Sequence, residues 1–219
     1  MQSFDFFDRI YGLNLDEDVE MWEGLKQECR EVSIAGRLQR FSAVEHENGY
    51  RGNQLSHLAM IEEAKEDGCS NVLILEDDCD FVSNARRKLA KAVEDLQKRD
   101  WALFYLGVGW GKKDRFTPDP VGDYLFRLKR GWFIHAYAIN LERDDLLEHI
   151  QNRREGALKR HNAWDNFYSK EVFPEFECFC AQDLIALQKK RQSQTAEQRL
   201  NFVPNNLRWF EYQKAKALD

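Results

Sequence analysis

No stretch of this chain carries the ~20 consecutive apolar residues that a membrane-spanning helix needs. The opening Met1-Gln-Ser-Phe-Asp-Phe-Phe-Asp8 has neither a basic leader nor a long apolar core. No secretory signal and no membrane span are expected, and the expected location is cytoplasmic. Cysteine is scarce and unpatterned. Cys29, Cys69, Cys79, Cys178 and Cys180 form an odd set without a C-x-x-C pair. That excludes a disulfide scaffold and points to reduced thiols. Cys178 and Cys180, two apart on one face of an expected strand, read as packing residues. Positive charge is short too: the net charge is −6 and the pI is near 5.5. Broad, sequence-independent nucleic-acid binding requires a basic surface and is disfavoured. Two local basic clusters (Arg127, Lys129 and Arg130, then Arg153, Arg154, Lys159 and Arg160) read as solvated faces. There is no internal repeat and no low-complexity linker.

What is present suffices for a core, with 43% hydrophobic and 13% aromatic residues in 219. Strands are expected at Arg9–Leu15, Leu38–Val44, Asn71–Leu75, Trp101–Gly107, Asp123–Leu128, Phe133–Ile139 and Phe173–Ala181. Helices are expected from Asp16 to about Cys29, Gln54 to Lys65, Ser83 or Asn84 toward Lys98, and Glu142 to Arg153. Gly49-Tyr-Arg-Gly52 reads as a loop, and so does Gly107–Gly122, whose first residues could form a mobile lid. The order βαβαβαβ followed by β-rich material predicts an α/β fold with a mixed, mainly parallel sheet. One domain is expected over 1–195, then a tail over 196–219 whose Phe202, Trp209, Phe210 and Tyr212 would dock on the body.

The most informative stretch is Asn71-Val-Leu-Ile-Leu-Glu76-Asp77-Asp78-Cys79-Asp80. A buried strand runs straight into four acids within five positions. Crowded carboxylates repel and raise one another's pKa, and a divalent cation with oxygen ligands relieves that. The carboxyl ends of sheet strands are also where α/β proteins bind phosphorylated ligands. Glu76 and Asp78 fall on one side of an extended strand, with Asp80 joining them if the chain stays extended and Asp77 facing elsewhere, toward a ribose or a basic neighbour. His135, on an apolar run, reads as a core histidine or as a further metal ligand, since imidazole suits Mn²⁺ beside carboxylates.

Several segments together resemble glycosyltransferase family 25, the lipooligosaccharide and procollagen galactosyltransferase group. Arg9-Ile-Tyr-Gly-Leu-Asn-Leu15 is similar to its first strand, Phe41-Ser-Ala-Val44 to its second, Gly52-Asn-Gln-Leu-Ser56-His57-Leu58 to its S-H helix start, Val72-Leu-Ile-Leu-Glu76-Asp77-Asp78 to its metal motif, His135-Ala-Tyr137-Ala-Ile139 to its A-Y strand, and Trp164-Asp165 to a later acidic position. They occur in the family's order over roughly residues 9 to 195. Asn53 stands where the family usually has cysteine, and acids near Glu20 stand where it often has a basic residue. The resemblance implies a GT-A-like, Rossmann-type nucleotide-sugar-binding domain that transfers a hexose from a nucleotide donor, usually UDP-linked, with Mn²⁺ (or Mg²⁺). It implies an acceptor hydroxyl on a glycan and inversion. A protein hydroxyl or a hydroxylated nucleic-acid base also stays open as acceptor.

On this reading the metal ligands are Glu76, Asp78, Asp80 and His135. Donor contacts are Asn14, Gly52, Ser56, His57 and Asp77, with the phosphates at a helix N-terminus and Gly52 allowing close backbone approach. The general base is Asp165, whose neighbours Trp164 and Phe167 would place it in a partly apolar pocket. Gln182 and Ser193 match a looser pattern of the family. Two other readings compete. Asp78-Cys-Asp80-Phe-Val82 fits the D-x-D-x-V of a haloacid-dehalogenase-type phosphatase, although about seventy residues precede it. A sugar- or partner-binding module without catalysis is the other.

Overall fold

The apolar run ending at Leu75 lies at the centre of the molecule, buried at every position. The computed structural model describes residues 3–110, 118–160, 163–189, 207–208 and 210–218. In chain order its elements are β1 (Arg9–Asn14), α1 (Val19–Glu31), β2 (Leu38–Ser42), α2 (Gly49–Glu66), β3 (Asn71–Glu76), β4 (Cys79–Phe81), α3 (Ala85–Leu96), β5 (Leu103–Tyr105), β6 (Asp119–Val121), β7 (Leu125–Arg127), β8 (Ala136–Asn140), α4 (Asp144–Arg160), α5 (Trp164–Phe167), β9 (Cys178–Ala181) and β10 (Ala186–Gln188). Eight strands form one sheet in the order β2-β1-β3-β8-β5-β9-β7-β6. β1, β2, β3, β5, β6 and β9 point one way, and β7 and β8 run against them. The fold is therefore α/β with a mixed, mainly parallel sheet.

β3 is continuously apolar because each face of the sheet meets its own core. Val72 and Ile74 pack with Tyr11, Leu58, Ile61 and Tyr137. Leu73 and Leu75 pack with Ile10, Leu25, Cys29 and Ala138. Strands covered on both sides lose the polar alternation of a half-exposed sheet. Helix α1 contributes to one core and α2 to the other, so the chain winds to opposite faces around β1. β2 lies on one side of β1 and β3 on the other. This change of direction opens a crevice at the strands' carboxyl ends.

Several boundaries differ from the sequence expectation, each for a local reason. Helix α2 begins at Gly49, not Gln54, because the Asn48 side chain accepts from the Tyr50 and Arg51 backbone N–H groups at 3.1 and 3.3 Å. The stretch Gly49–Gly52 is thus helix, not loop. β8 starts at Ala136 rather than Phe133, since Phe133 adopts φ +74°, which a strand does not allow. The chain does not stay extended through the acids: it turns at Asp77 and Asp78, and Cys79–Phe81 pairs with Ala186–Gln188 in a separate two-stranded sheet. Asp119–Val121, expected in a loop, is an edge strand. Residues 107–110 are buried, with Trp110 against Phe126 and stacked on Phe210 at 4.7 Å, so this part is not a lid. Ser193, Phe202 and Trp209 lie outside the described residues.

Gly12 shows how closely α1 sits on β1. A Cβ there would meet Trp22 Cζ3 at 2.7 Å and Leu25 Cδ2 at 2.9 Å. Gly12→Ala is expected to destabilise the fold by about 1–3 kcal/mol through overpacking. Thermal or urea denaturation measures this, and an unchanged midpoint would contradict the packing described.

Candidate functional site

A cavity of about 780 Å³ opens at the carboxyl ends of β1, β2 and β3. Its walls are Leu13–Leu15 from β1, Ala43–Glu47 after β2, the first turns of α2, and Asp77. Glu17, Glu45, Glu47 and Asp77 line it, and among the described residues no lysine or arginine does. One arginine acts on the wall from one step back. Arg40 donates to Asn14 Oδ1 at 2.7 Å and pairs with Asp16 at 3.2 Å. This fixes the Asn14 amide, whose Nδ2 donates to Asp77 Oδ2 at 2.8 Å and to the Asp18 carbonyl at 3.0 Å. Asp77 is thus buried yet oriented at the cavity wall.

The other acids after β3 go to different partners. Glu76 Oε1 accepts from Asn53 Nδ2 at 2.6 Å and lies 3.4 Å from His57 Nε2. Asp78 Oδ2 accepts from Gln188 Nε2 at 3.0 Å, and its carbonyl accepts from Lys189 N at 2.6 Å. Asp80 faces Glu28 and Lys189, whose Nζ is 3.9 Å away. Burial, then the Glu28 carboxylate, pushes the Asp80 carboxyl up. The expected grouping of Glu76, Asp78, Asp80 and His135 is therefore not assembled, because the turn at 77–78 sends successive side chains in different directions. Among the described residues no three His, Cys, Asp or Glu side chains are placed to hold a metal by themselves. Asp78 and Asp80, the pair a phosphatase would use together, take different side-chain partners.

His135 is buried, with Nε2 donating to the Ala186 carbonyl at 3.3 Å and Nδ1 buried without a hydrogen-bond partner. Burial lowers its pKa to about 4, against the opposing pull of that carbonyl and of Glu76, so the ring is neutral at neutral pH.

Ser56 and His57 lie in the third turn of α2, fully buried, and not at its start. Ser56 Oγ donates to the Gly52 carbonyl at 2.7 Å and accepts from Val44 N at 2.8 Å. It therefore ties the cavity wall after β2 to the helix. Gly52 does line the cavity, but its missing Cβ serves packing: one would sit 2.5 Å from the Val44 carbonyl.

Asp165, in α5, accepts from Phe133 N at 3.1 Å through Oδ2, while Oδ1 is buried without a hydrogen-bond partner. Burial raises its pKa, the Phe133 and Asn166 N–H groups oppose this, and the charge of Glu76 adds to it. The residue that orients Asp165 is the strained Phe133, whose ring lies over Gly109 so closely that a Cβ there would clash. Backbone strain of this kind costs about 1–3 kcal/mol and persists where surrounding structure enforces it.

Comparison with known proteins bears on this arrangement. No family model matches the chain. It is 43% identical over 61 residues to mouse inactive glycosyltransferase 25 family member 3, covering 27% of this chain and 10% of that protein. It is 29% identical over 114 residues to mouse procollagen galactosyltransferase 2, covering 50% and 18%. The similarity is to glycosyltransferase family 25. The chain matches only a tenth to a fifth of the length of these family 25 relatives. In fold it is similar to the crystal structure of a glycosyltransferase involved in glycosylating the major capsid of PBCV-1, with TM-score 0.50 and 15% identity over 78% of this chain and 80% of that one. The fold is GT-A-like.

Of the residues singled out from the sequence, Asn14, Gly52 and Asp77 meet at the cavity, whereas Ser56 and His57 support it from behind. Arg40 and Gln188 were missed. Each acts through a partner distant in sequence, so no local pattern marks it. Asn53 stood out only as a departure from the family's cysteine.

Two outcomes follow from these contacts. Ser56→Ala leaves the Val44 N–H and the Gly52 carbonyl short of a partner, and should cost about 1–3 kcal/mol with faster amide exchange at Val44, read by hydrogen-exchange mass spectrometry. Asp165 has a folded-state pKa above its unfolded value, so its favourable contribution is complete below the unfolded pKa and fades as pH rises through the folded one. The stability of wild type relative to Asp165→Asn should therefore fall as pH rises through the acidic range. Denaturant midpoints across that range check it, and a flat difference would refute the shift.

Proposed function

We propose that this protein is a metal-dependent glycosyltransferase that binds a nucleotide sugar, a UDP-hexose, in the cavity at the ends of β1, β2 and β3. The hexose passes with inversion to an acceptor hydroxyl, on a glycan. The observation that carries the reading is the lining: four carboxylates and no lysine or arginine among the described residues, at a crevice where α/β sheets bind phosphorylated ligands. A diphosphate meets only repulsion there unless a cation accompanies it. The donor set fits such a cation. Asp77 supplies a hard oxygen ligand at the wall, and Mn²⁺ or Mg²⁺ bound through one or two carboxylates plus substrate phosphates needs no all-protein cage. When bound, that ion offsets the charge that develops on the departing diphosphate.

The chain's own residues do the rest. Asn14, fixed by Arg40, holds Asp77 in orientation. Ser56 and Gly52 hold the wall after β2 against α2. Asp165 takes the proton from the acceptor hydroxyl, and burial, which pushes its carboxyl up, strengthens it as a base. The likeness to procollagen galactosyltransferase 2 supports a hexosyl donor, with the whole relative's activity belonging to a much longer chain. A second reading, a nucleotide-sugar-binding module without turnover, is favoured by the relatives named inactive.

Incubation with a panel of UDP-hexoses and glycan acceptors, with Mn²⁺ or with EDTA, decides between them. UDP release should require the metal, and Asp77→Asn should lower turnover at least about 100-fold. Equal rates in EDTA would remove the metal, while tight UDP-sugar binding with no turnover on any acceptor would select the module.

A further inference from the structure

Behind the cavity a chain of polar groups crosses the core. Asn53 and His57 are four apart on α2, hence on one face, and both reach Glu76 Oε1, at 2.6 and 3.4 Å. On its other side His57 Nδ1 lies 3.0 Å from the Tyr137 hydroxyl, and that hydroxyl lies 3.3 Å from the Tyr168 hydroxyl. One proton arrangement serves every link: Tyr168 donates to Tyr137, Tyr137 to His57 Nδ1, and His57 Nε2–H to the Glu76 carboxylate. His57, Tyr137 and Tyr168 are fully buried. Their rings also touch: Tyr137 lies against His57, Tyr105 and Tyr168, with centroids 5.5–5.7 Å apart. The chain has one end at the cavity, since Asn53 lines it. Its other end is Tyr168, three residues after Asp165 in the same helical segment.

Stability alone does not call for this chain. Aromatic and aliphatic side chains of similar volume fill such a core equally well, and Phe167 and Phe173 already pack around it. A fully satisfied polar network instead fixes one geometry. We infer that Asn53, His57 and Tyr137 are positioning residues that couple the donor cavity to the helical segment carrying Asp165, through Glu76 and Tyr168. This rests on the reading of the cavity as donor site and of Asp165 as base. Glu76 then serves as the junction of the coupling, not as a metal ligand. Occupation of the cavity is sensed at Asn53 and steadies Asp165.

Tyr137→Phe and Tyr168→Phe each remove one hydroxyl and keep the ring, so the fold should persist. Hydrogen-exchange mass spectrometry on the full chain reads residues 164–173 with and without UDP and Mn²⁺. Without nucleotide, exchange there should rise about fivefold in either variant, while residues 85–96 of α3 keep the wild-type rate. With nucleotide, wild type should gain protection at 164–173 as well as at 43–53, and the variants only at 43–53. In transfer assays kcat should fall with the donor KM unchanged, which a loss of fold would not produce. Wild-type exchange at 164–173 in both variants would overturn the coupling, whether or not nucleotide binds. So would wild-type protection confined to 43–53. Faster exchange in the variants with no UDP binding to wild type would keep the link to the helix and remove the donor reading.

Discussion

Crowding of negative charge at the end of a buried strand is the constraint on which the site depends. Glu76, Asp77 and Asp78 are all buried, and three adjacent carboxylates in one low-dielectric space would repel strongly. The fold resolves this by sending each to its own partner. Glu76 goes to Asn53 and His57 on α2, Asp77 to Asn14 on β1, Asp78 to Gln188 on β10, and Asp80 to the pair formed by Glu28 and Lys189. The two-stranded pairing of β4 with β10 exists in the same place, and it holds the turn through the contact of Lys189 N with the Asp78 carbonyl. Neutralisation and positioning are thus one arrangement.

That arrangement also divides labour around the cavity. Only Asp77 of these acids reaches its wall, so the charge a ligand meets comes from Asp77 and from the exposed Glu17, Glu45 and Glu47. The neutral, buried His135 and the buried Ser56 and His57 sit behind the surface, where they set shape and orientation. On the far side Asp165 is held by the N–H of Phe133, a residue in an unfavourable backbone conformation that Gly109 makes room for. The fold likeness to a capsid glycosyltransferase covers most of the chain.

Much of this was legible from residues alone where the signal is local. A run of β-branched and aliphatic residues marks β3. The start of α2 was also local in principle, because Asn48 is a capping residue, but the glycines at 49 and 52 read more strongly as a loop. The strand over Phe133–Ile139 was overestimated because apolar composition does not reveal a positive φ. The expectation that Glu76, Asp78 and Asp80 share a side failed because alternation holds only while a strand continues, and here it ends at Glu76.

By itself, then, the order of residues determined the α/β class, the mainly parallel sheet and the presence of an acid-rich strand end facing a ligand crevice. These follow from periodicity, from the burial that apolar runs demand, and from charge that requires a partner. Which partner each acid finds was decided only by the tertiary structure. Asn14, Asn53, His57, Gln188 and Lys189 reach the acids from β1, α2 and the end of β10, across up to about 110 residues, and no local pattern encodes a contact that exists only once the sheet and its helices have closed around it.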